Sequence, residues 1–256
     1  MKLSYHQYGS GYPLVILHAL FDAGDNWRGI GHRLGENYQV WTPDLRNHGR
    51  SPHSHIFNYK ILAQDVLEFT IRHQLKSIFL LGHSMGGKIA MQLTQTHPSL
   101  IKKLMVVDIA PRAYQQTYQT VLFDAMFAVA SRSITELGEA DRLLKEKRIP
   151  KRLRGFLLKN LRADHSGFYK WRIYLDALHQ NFDRITANIE MDQKFDNPAL
   201  FIKGEKSDYI SEEDPIEIKK TFQKATCTTI NGVGHWIHAE APAEFTQIAL
   251  TFFGEI

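Results

Sequence analysis

The stretch Phe79–Ala90, FLLGHSMGGKIA, decides how this chain is read. An apolar run, Ile78–Leu81, leads into Gly82-His83-Ser84-Met85-Gly86. A helical pattern follows and stops near His97-Pro98, because proline disfavours helix at the residue before it. Strand, sharp turn and helix in that order are the setting in which a G-x-S-x-G serine is a nucleophile. Side chains two before and two after the serine would clash in so tight a turn, which accounts for Gly82 and Gly86. The turn lifts the Ser84 hydroxyl off the sheet edge, at a helix N-terminus where backbone N–H groups stabilise negative charge.

Working outward, short β-rich runs alternate with helical patterns, which predicts an α/β fold with a mostly parallel central sheet flanked by helices. The expected strands are Leu14–His18, Gln39–Thr42, Ile78–Leu81, Leu104–Asp108, Ala199–Ile202 and Thr226–Ile230, with an edge strand in the alternating N-terminal segment. Leu62, Val66 and Phe69 make Tyr59–His73 an amphipathic helix, and Phe245, Ile248, Ala249 and Phe252 mark another near the C-terminus. From about Arg112 to Gln193 the pattern is helical with no strand. An insertion of roughly 80 residues is too long for an ordinary connection. The expected organisation is a core of residues 1–111 and 194–256, with a helical cap over 112–193 inserted between two late strands.

Composition narrows the function classes. Of 256 residues, 43% are hydrophobic and 23% charged, as in ordinary globular proteins. The apolar runs are far shorter than the ~18 residues of a membrane span, and the N-terminal segment lacks a signal-peptide core. Cys227 is the single cysteine, so no intrachain disulfide forms and a reducing cytoplasm fits. The window Arg132–Arg172 holds twelve Lys/Arg against five Asp/Glu, within a chain whose net charge is only +4. No nucleic-acid motif accompanies it, so a solvated basic face is expected, or else a handle for an anionic substrate. A small-molecule substrate, no nucleic acid, no cofactor and a monomer or homodimer are the resulting expectations.

A nucleophilic serine needs a hydrogen-bonded base. In NGVGHWIHAEAP, His235 follows a Gly-Val-Gly loop just after the last expected strand and is the candidate, with His238 as a packing neighbour. His53 and His55 have a spacing that some metal sites use, but no acidic or cysteine partner lies nearby, so no metal site is expected. Acyl transfer also needs two oxyanion donors. These fall to the backbone N–H of Met85, next to the serine, and of Leu20, in the loop after the first apolar strand.

HALFD…W, DLRNHGRS (Asp44–Ser51), GHSMGGK, VVDIAP (Val106–Pro111) and GHWIHAE (Gly234–Glu240) occur in that order. Over nearly the whole chain they resemble the YbfF-type bacterial esterases of the α/β-hydrolase superfamily. The resemblance implies the α/β-hydrolase fold and a cofactor-free serine hydrolase. It would act on short and medium acyl esters, with some activity on acyl-CoA thioesters. Two positions depart from the pattern: Ala19 replaces the usual glycine of the oxyanion loop, and Asp22 puts a carboxylate where glycine is frequent, expected near the mouth of the site.

Two aspartates compete for the acid. In most α/β-hydrolases the acid lies in a G-x-x-D turn after the later strand, but counting from Gly204 that position is Ser207, and Asp208 falls one residue beyond. Asp108 closes an apolar strand, where a carboxylate needs a partner, and the YbfF-type pattern carries its acid there. Asp108 is the expected acid, with Asp208 the alternative. A C–C bond hydrolase, lactonase or aminopeptidase would share this triad, and a non-hydrolytic receptor would share the fold.

Overall fold

The computed structural model describes residues 1–115 and 119–254. Its strands are β1 (Tyr5–Tyr8), β2 (Tyr12–Leu17), β3 (Tyr38–Pro43), β4 (Ile78–His83), β5 (Ile101–Val107), β6 (Leu161–Ala163), β7 (Tyr169–Trp171), β8 (Ala199–Gly204) and β9 (Ala225–Ile230). Seven of them form one sheet in the order β1-β3-β2-β4-β5-β8-β9. The edge strand β1 runs antiparallel to β3, and the other pairings are parallel. Each expected strand is present. β2 begins two residues earlier than expected, and β5 ends at Val107, leaving Asp108 just past it.

Strand alternation divides the core into two layers. Val15, Leu17, Leu80 and Val106 face the helices Tyr59–Arg72 and Met85–Thr96. Leu14, Ile16, Leu81 and Val107 face the other side, against Trp27, Phe245 and Phe253. Burial on both faces explains why these parallel strands read as unbroken apolar runs. The chain steps from β2 outward to β3, then back across β2 to β4. Strand order therefore reverses between β2 and β4, the kind of crevice at the carboxyl ends of strands where open α/β sheets bind ligands.

Among the described residues between β5 and β8 lie five helices: Gln119–Ala130, Leu137–Glu146, Lys151–Leu158, Leu175–Gln180 and Phe182–Thr186. Residues 116–118 of the expected cap range, and 255–256 at the C-terminus, lie outside the described residues. The expectation of no strand in this insertion needs correction, because β6 and β7 form an antiparallel hairpin. Asp164 closes its turn, accepting on Oδ1 from the N–H groups of Ser166 and Phe168, with Gly167 at φ 81°. Strands of three residues are too short for alternation to show in sequence.

Polar ties join the insertion to the rest. Tyr59 Oη donates to the Ile185 carbonyl at 2.6 Å, Asn160 Nδ2 to the Phe21 carbonyl at 2.6 Å, and Arg172 pairs with Asp25 at 3.0 Å. Among the described residues no helix is long and apolar enough to cross a membrane.

The turn glycines are steric requirements. A Cβ on Gly86 would stand 2.2 Å from the Leu17 carbonyl oxygen, and one on Gly82 2.3 Å from that of Gly86. Both obstacles are backbone and cannot swing aside. Gly86→Ala is expected to lose about 3 kcal/mol or more of stability, read from urea unfolding midpoints.

Candidate active site

Ser84 sits at φ 52°, ψ −117°, a left-handed conformation that a non-glycine residue adopts only when its surroundings impose it. The β4–β5 ladder imposes it: Ser84 N–H donates to the Val107 carbonyl at 2.9 Å, and the Ser84 carbonyl accepts from Lys88 N–H at 3.1 Å. Met85 opens the helix Met85–Thr96, so its N–H is among those that no intrahelical carbonyl can satisfy.

One strand over, Asp108 is also left-handed, at φ 51°, and fully buried. Its Oδ1 accepts from the Gly204 N–H at 3.1 Å. Its Oδ2 accepts from His235 Nδ1 at 2.7 Å and from the Ser207 hydroxyl. Ser207, in the position where the usual acid would stand, thus binds the carboxylate that ends the neighbouring strand. Asp208 is exposed. The structure brings His235 to Asp108 and leaves Asp208 in solvent.

His235 is held on several sides. Its ring stacks on Tyr209 with centroids 3.9 Å apart, and its carbonyl accepts from His83 Nε2 at 2.9 Å. The neighbouring N–H groups of Gly234 and Trp236 both donate to Glu240, at 2.9 and 3.3 Å. Burial alone would raise the Glu240 carboxyl, but Arg152, 2.6 Å away, and the Gly234 N–H outweigh it and hold the group below its usual range. His238 packs as expected, stacked on Trp27 at 4.0 Å, and burial pushes it down to about 3, so it stays neutral.

The loop His18–Phe21 follows β2, and its Leu20 lines the same cavity as Ser84 and Met85. The positive φ in this loop falls on Phe21, at 58°, and not on Ala19, so alanine replaces glycine there without strain. Two buried imidazoles fix the loop. His18 donates from Nδ1 to the Ala19 carbonyl at 2.8 Å and accepts on Nε2 from Leu45 N–H at 2.9 Å. His48 accepts on Nε2 from Phe21 N–H at 3.3 Å, and burial, then the neighbouring His18, pushes it down to about 3. His48 lies in the DLRNHGRS stretch, 27 residues from the Phe21 whose N–H it accepts, so no local pattern announces this role.

Asp22 corrects an expectation. It lies buried, not at the mouth, accepting from Ala23 N–H, Asn26 Nδ2 and, at 3.2 Å, Trp27 Nε1. Burial pushes its carboxyl up despite those bonds. Among the described residues, Asp22, His83 and His238 are the one group with metal-ligand chemistry, their ligating atoms within 4.8 Å of one another. Asp22 already has an occupied role there, holding the turn Gly24–Trp27. His53 and His55 instead pack on Tyr174, whose hydroxyl lies 2.7 Å from His55 Nε2.

Leu20, Ser84, Met85, Tyr209 and His235 line a cavity of about 280 Å³ between the strand ends and the insertion. Its walls are mostly apolar, with Leu122, Leu153, Phe156, Phe182 and Ile185 from the insertion and Ser84 and His235 from the strand ends.

The profile of the alpha/beta hydrolase fold family matches residues 12–242. The chain belongs to that family. This hydrolase superposes on the solved structure of a marine microorganism esterase with a TM-score of 0.95 and 40% identity, covering 98% of this chain and 99% of that one. It is 33% identical over 230 residues to the esterase YbfF of Escherichia coli, covering 90% of this chain and 88% of that protein. It is 34% identical over 255 residues to the sn-1-specific diacylglycerol lipase ABHD11 of Danio rerio, covering 95% of this chain and 79% of that protein. The hydrolase is of the esterase/lipase type.

Lys88 also reaches the cavity wall; burial, then the charge of Arg112, pushes it down to about 7. The unfolded chain holds this proton up to about pH 10.4. Between those values the unfolded state binds more protons, so this group makes stability rise with pH. Lys88→Met should flatten the rise, seen by comparing urea midpoints of the two proteins at about pH 7 and about pH 10.

Proposed function

We propose that this hydrolase cleaves carboxylic esters of short to medium acyl chains, with Ser84 as nucleophile, His235 as base and Asp108 as the acid that orients it. The observation that carries the reading is the 2.7 Å contact of His235 Nδ1 with the buried Asp108, beside a cavity that His235 shares with Ser84. With Nδ1–H donated to Asp108, His235 Nε2 is left with its lone pair to take the Ser84 proton as the hydroxyl oxygen attacks the ester carbonyl. The N–H groups of Leu20 and Met85 receive the oxyanion, each worth on the order of 10²–10³ in rate. Collapse of the adduct breaks the carbonyl–alkoxy bond, and the alcohol leaves with the proton from His235. Water then repeats the sequence on the acyl-enzyme and releases the acid. Asp108 stays ionised and stabilises the imidazolium.

Residues 112–193 are read as a cap over the core of 1–111 and 194–256. The support is that the cavity's acyl-sized apolar wall comes from this insertion while the reacting groups come from the strand ends. A fluorophosphonate probe should label wild type and not Ser84→Ala. On p-nitrophenyl butyrate, Asp108→Asn should lose on the order of 10⁴ in kcat while Asp208→Asn stays near wild type. The reverse order would transfer the acid role to Asp208. A diacylglycerol belongs in the same panel, given the name of the Danio rerio relative.

A second observation favours thioesters with a phosphorylated leaving group, such as acyl-CoA. The helix Lys151–Leu158 lines the cavity with Leu153 and Phe156 while carrying Lys151, Arg152 and Arg154, and Arg152 lies 5.6 Å over the ring of Trp236, another wall residue. A polyanion leaving past this helix would meet positive charge that salt screens. Between low and high ionic strength, kcat/KM for an acyl-CoA should fall several-fold while that for a neutral p-nitrophenyl ester stays level. Equal responses would discard the thioester reading.

A further inference from the structure

Lys88 is a charged group that the proposed mechanism does not use. It lies one helical turn beyond Ser84, on the same face of the helix Met85–Thr96. Its side chain is buried, and among the described residues named on the cavity wall it is the only Lys, Arg, Asp or Glu. The ammonium is held by the Ala187 carbonyl and, at 3.5 Å, by that of Thr186. It also faces the rings of Tyr114 at 4.8 Å and Tyr59 at 5.6 Å. None of the ion pairs among the described residues includes it.

Keeping charge on a buried lysine without a counter-ion is costly; carbonyl dipoles and ring faces offset only part of that cost, and an anion beside it would favour the ammonium form. A cavity that took only hydrocarbon chains would be better lined by leucine or methionine at this position. Arg112, its guanidinium 4.3 Å over the ring of Tyr114, is already paired with Asp214 at 3.0 Å, a partner that Lys88 lacks. The missing partner is an anion, and the space beside Lys88 is the acyl cavity itself.

We propose that Lys88 recognises a carboxylate at the far end of the acyl group, so that half-esters of dicarboxylic acids are substrates of this site. The assignment rests on the ester-hydrolase reading above and deepens it. The reaction is unchanged: the ester bond breaks, the alcohol departs, and the acyl-enzyme carries its distal carboxylate against Lys88 until water releases the diacid. Without the lysine, a carboxylate entering these apolar walls would lose its hydration uncompensated.

The test uses chain-matched pairs followed by acid release in a pH-stat: monoethyl succinate, adipate and suberate against ethyl butyrate, hexanoate and octanoate. The enzymes are wild type, Lys88→Met and Lys88→Arg. In wild type at least one half-ester should match or exceed its neutral counterpart in kcat/KM. In Lys88→Met that ratio should fall by about 10- to 100-fold, the size of a hydrogen bond between charged groups, and Lys88→Arg should restore part of it. If every half-ester is turned over about 100-fold more slowly than its neutral partner by wild type, as apolar walls alone would dictate, the proposal is overturned. It is equally overturned if Lys88→Met lowers both series by one factor, which is what a lysine serving only to hold the 186–187 carbonyls would do. Failure of wild type on both series would instead strike at the ester-hydrolase reading.

Discussion

The buried carboxylate of Asp108 gathers chain segments that sequence keeps far apart. It closes β5, accepts from the backbone at the end of β8, accepts from the Ser207 hydroxyl in the loop beyond, and meets His235 after β9. A carboxylate with no exposure is tolerated only where its lone pairs are filled, and the donors here come from the end of β8 with its following loop and from the loop after β9. The position of the imidazole, and with it the wall of the cavity, depends on that set of bonds. Burial of His48 and His238 keeps both imidazoles neutral, so they serve as hydrogen-bonding or stacking supports without adding charge beside the site.

Much of this was legible in the sequence because local sterics wrote it there. Gly82 and Gly86 are needed by the backbone contacts around Ser84, and the parallel strands show as apolar runs because both faces are covered. The expectation that His235 meets Asp108 and not Asp208 came from the turn after β8: Ser207 stands where the usual acid would, and Asp208 falls one residue beyond. The structure places Ser207 as a donor to the Asp108 carboxylate, a role its hydroxyl could fill only once the strand order was known.

What sequence did not reveal was set by contacts between distant segments. Asp22 is expected near the mouth because it stands where glycine is frequent in the resembled pattern, yet it is buried and accepts from three N–H donors. His48 props the His18–Phe21 loop from 27 residues away, a relation with no period or spacing to betray it. The β6–β7 hairpin stayed hidden because three-residue strands are shorter than the pattern that would announce them.

The ties between the insertion and the core end on the loops that carry Leu20, Tyr209 and His235. Asn160 binds the Phe21 carbonyl next to Leu20, Arg152 binds the Glu240 that clamps both neighbours of His235, and Tyr114 binds the carbonyl of Tyr209, whose ring stacks on His235. Lifting the insertion to widen the cavity would therefore slacken the fastenings of the machinery it covers. Cavity width and the placement of Leu20 and His235 are thus tied to one another through the same few bonds.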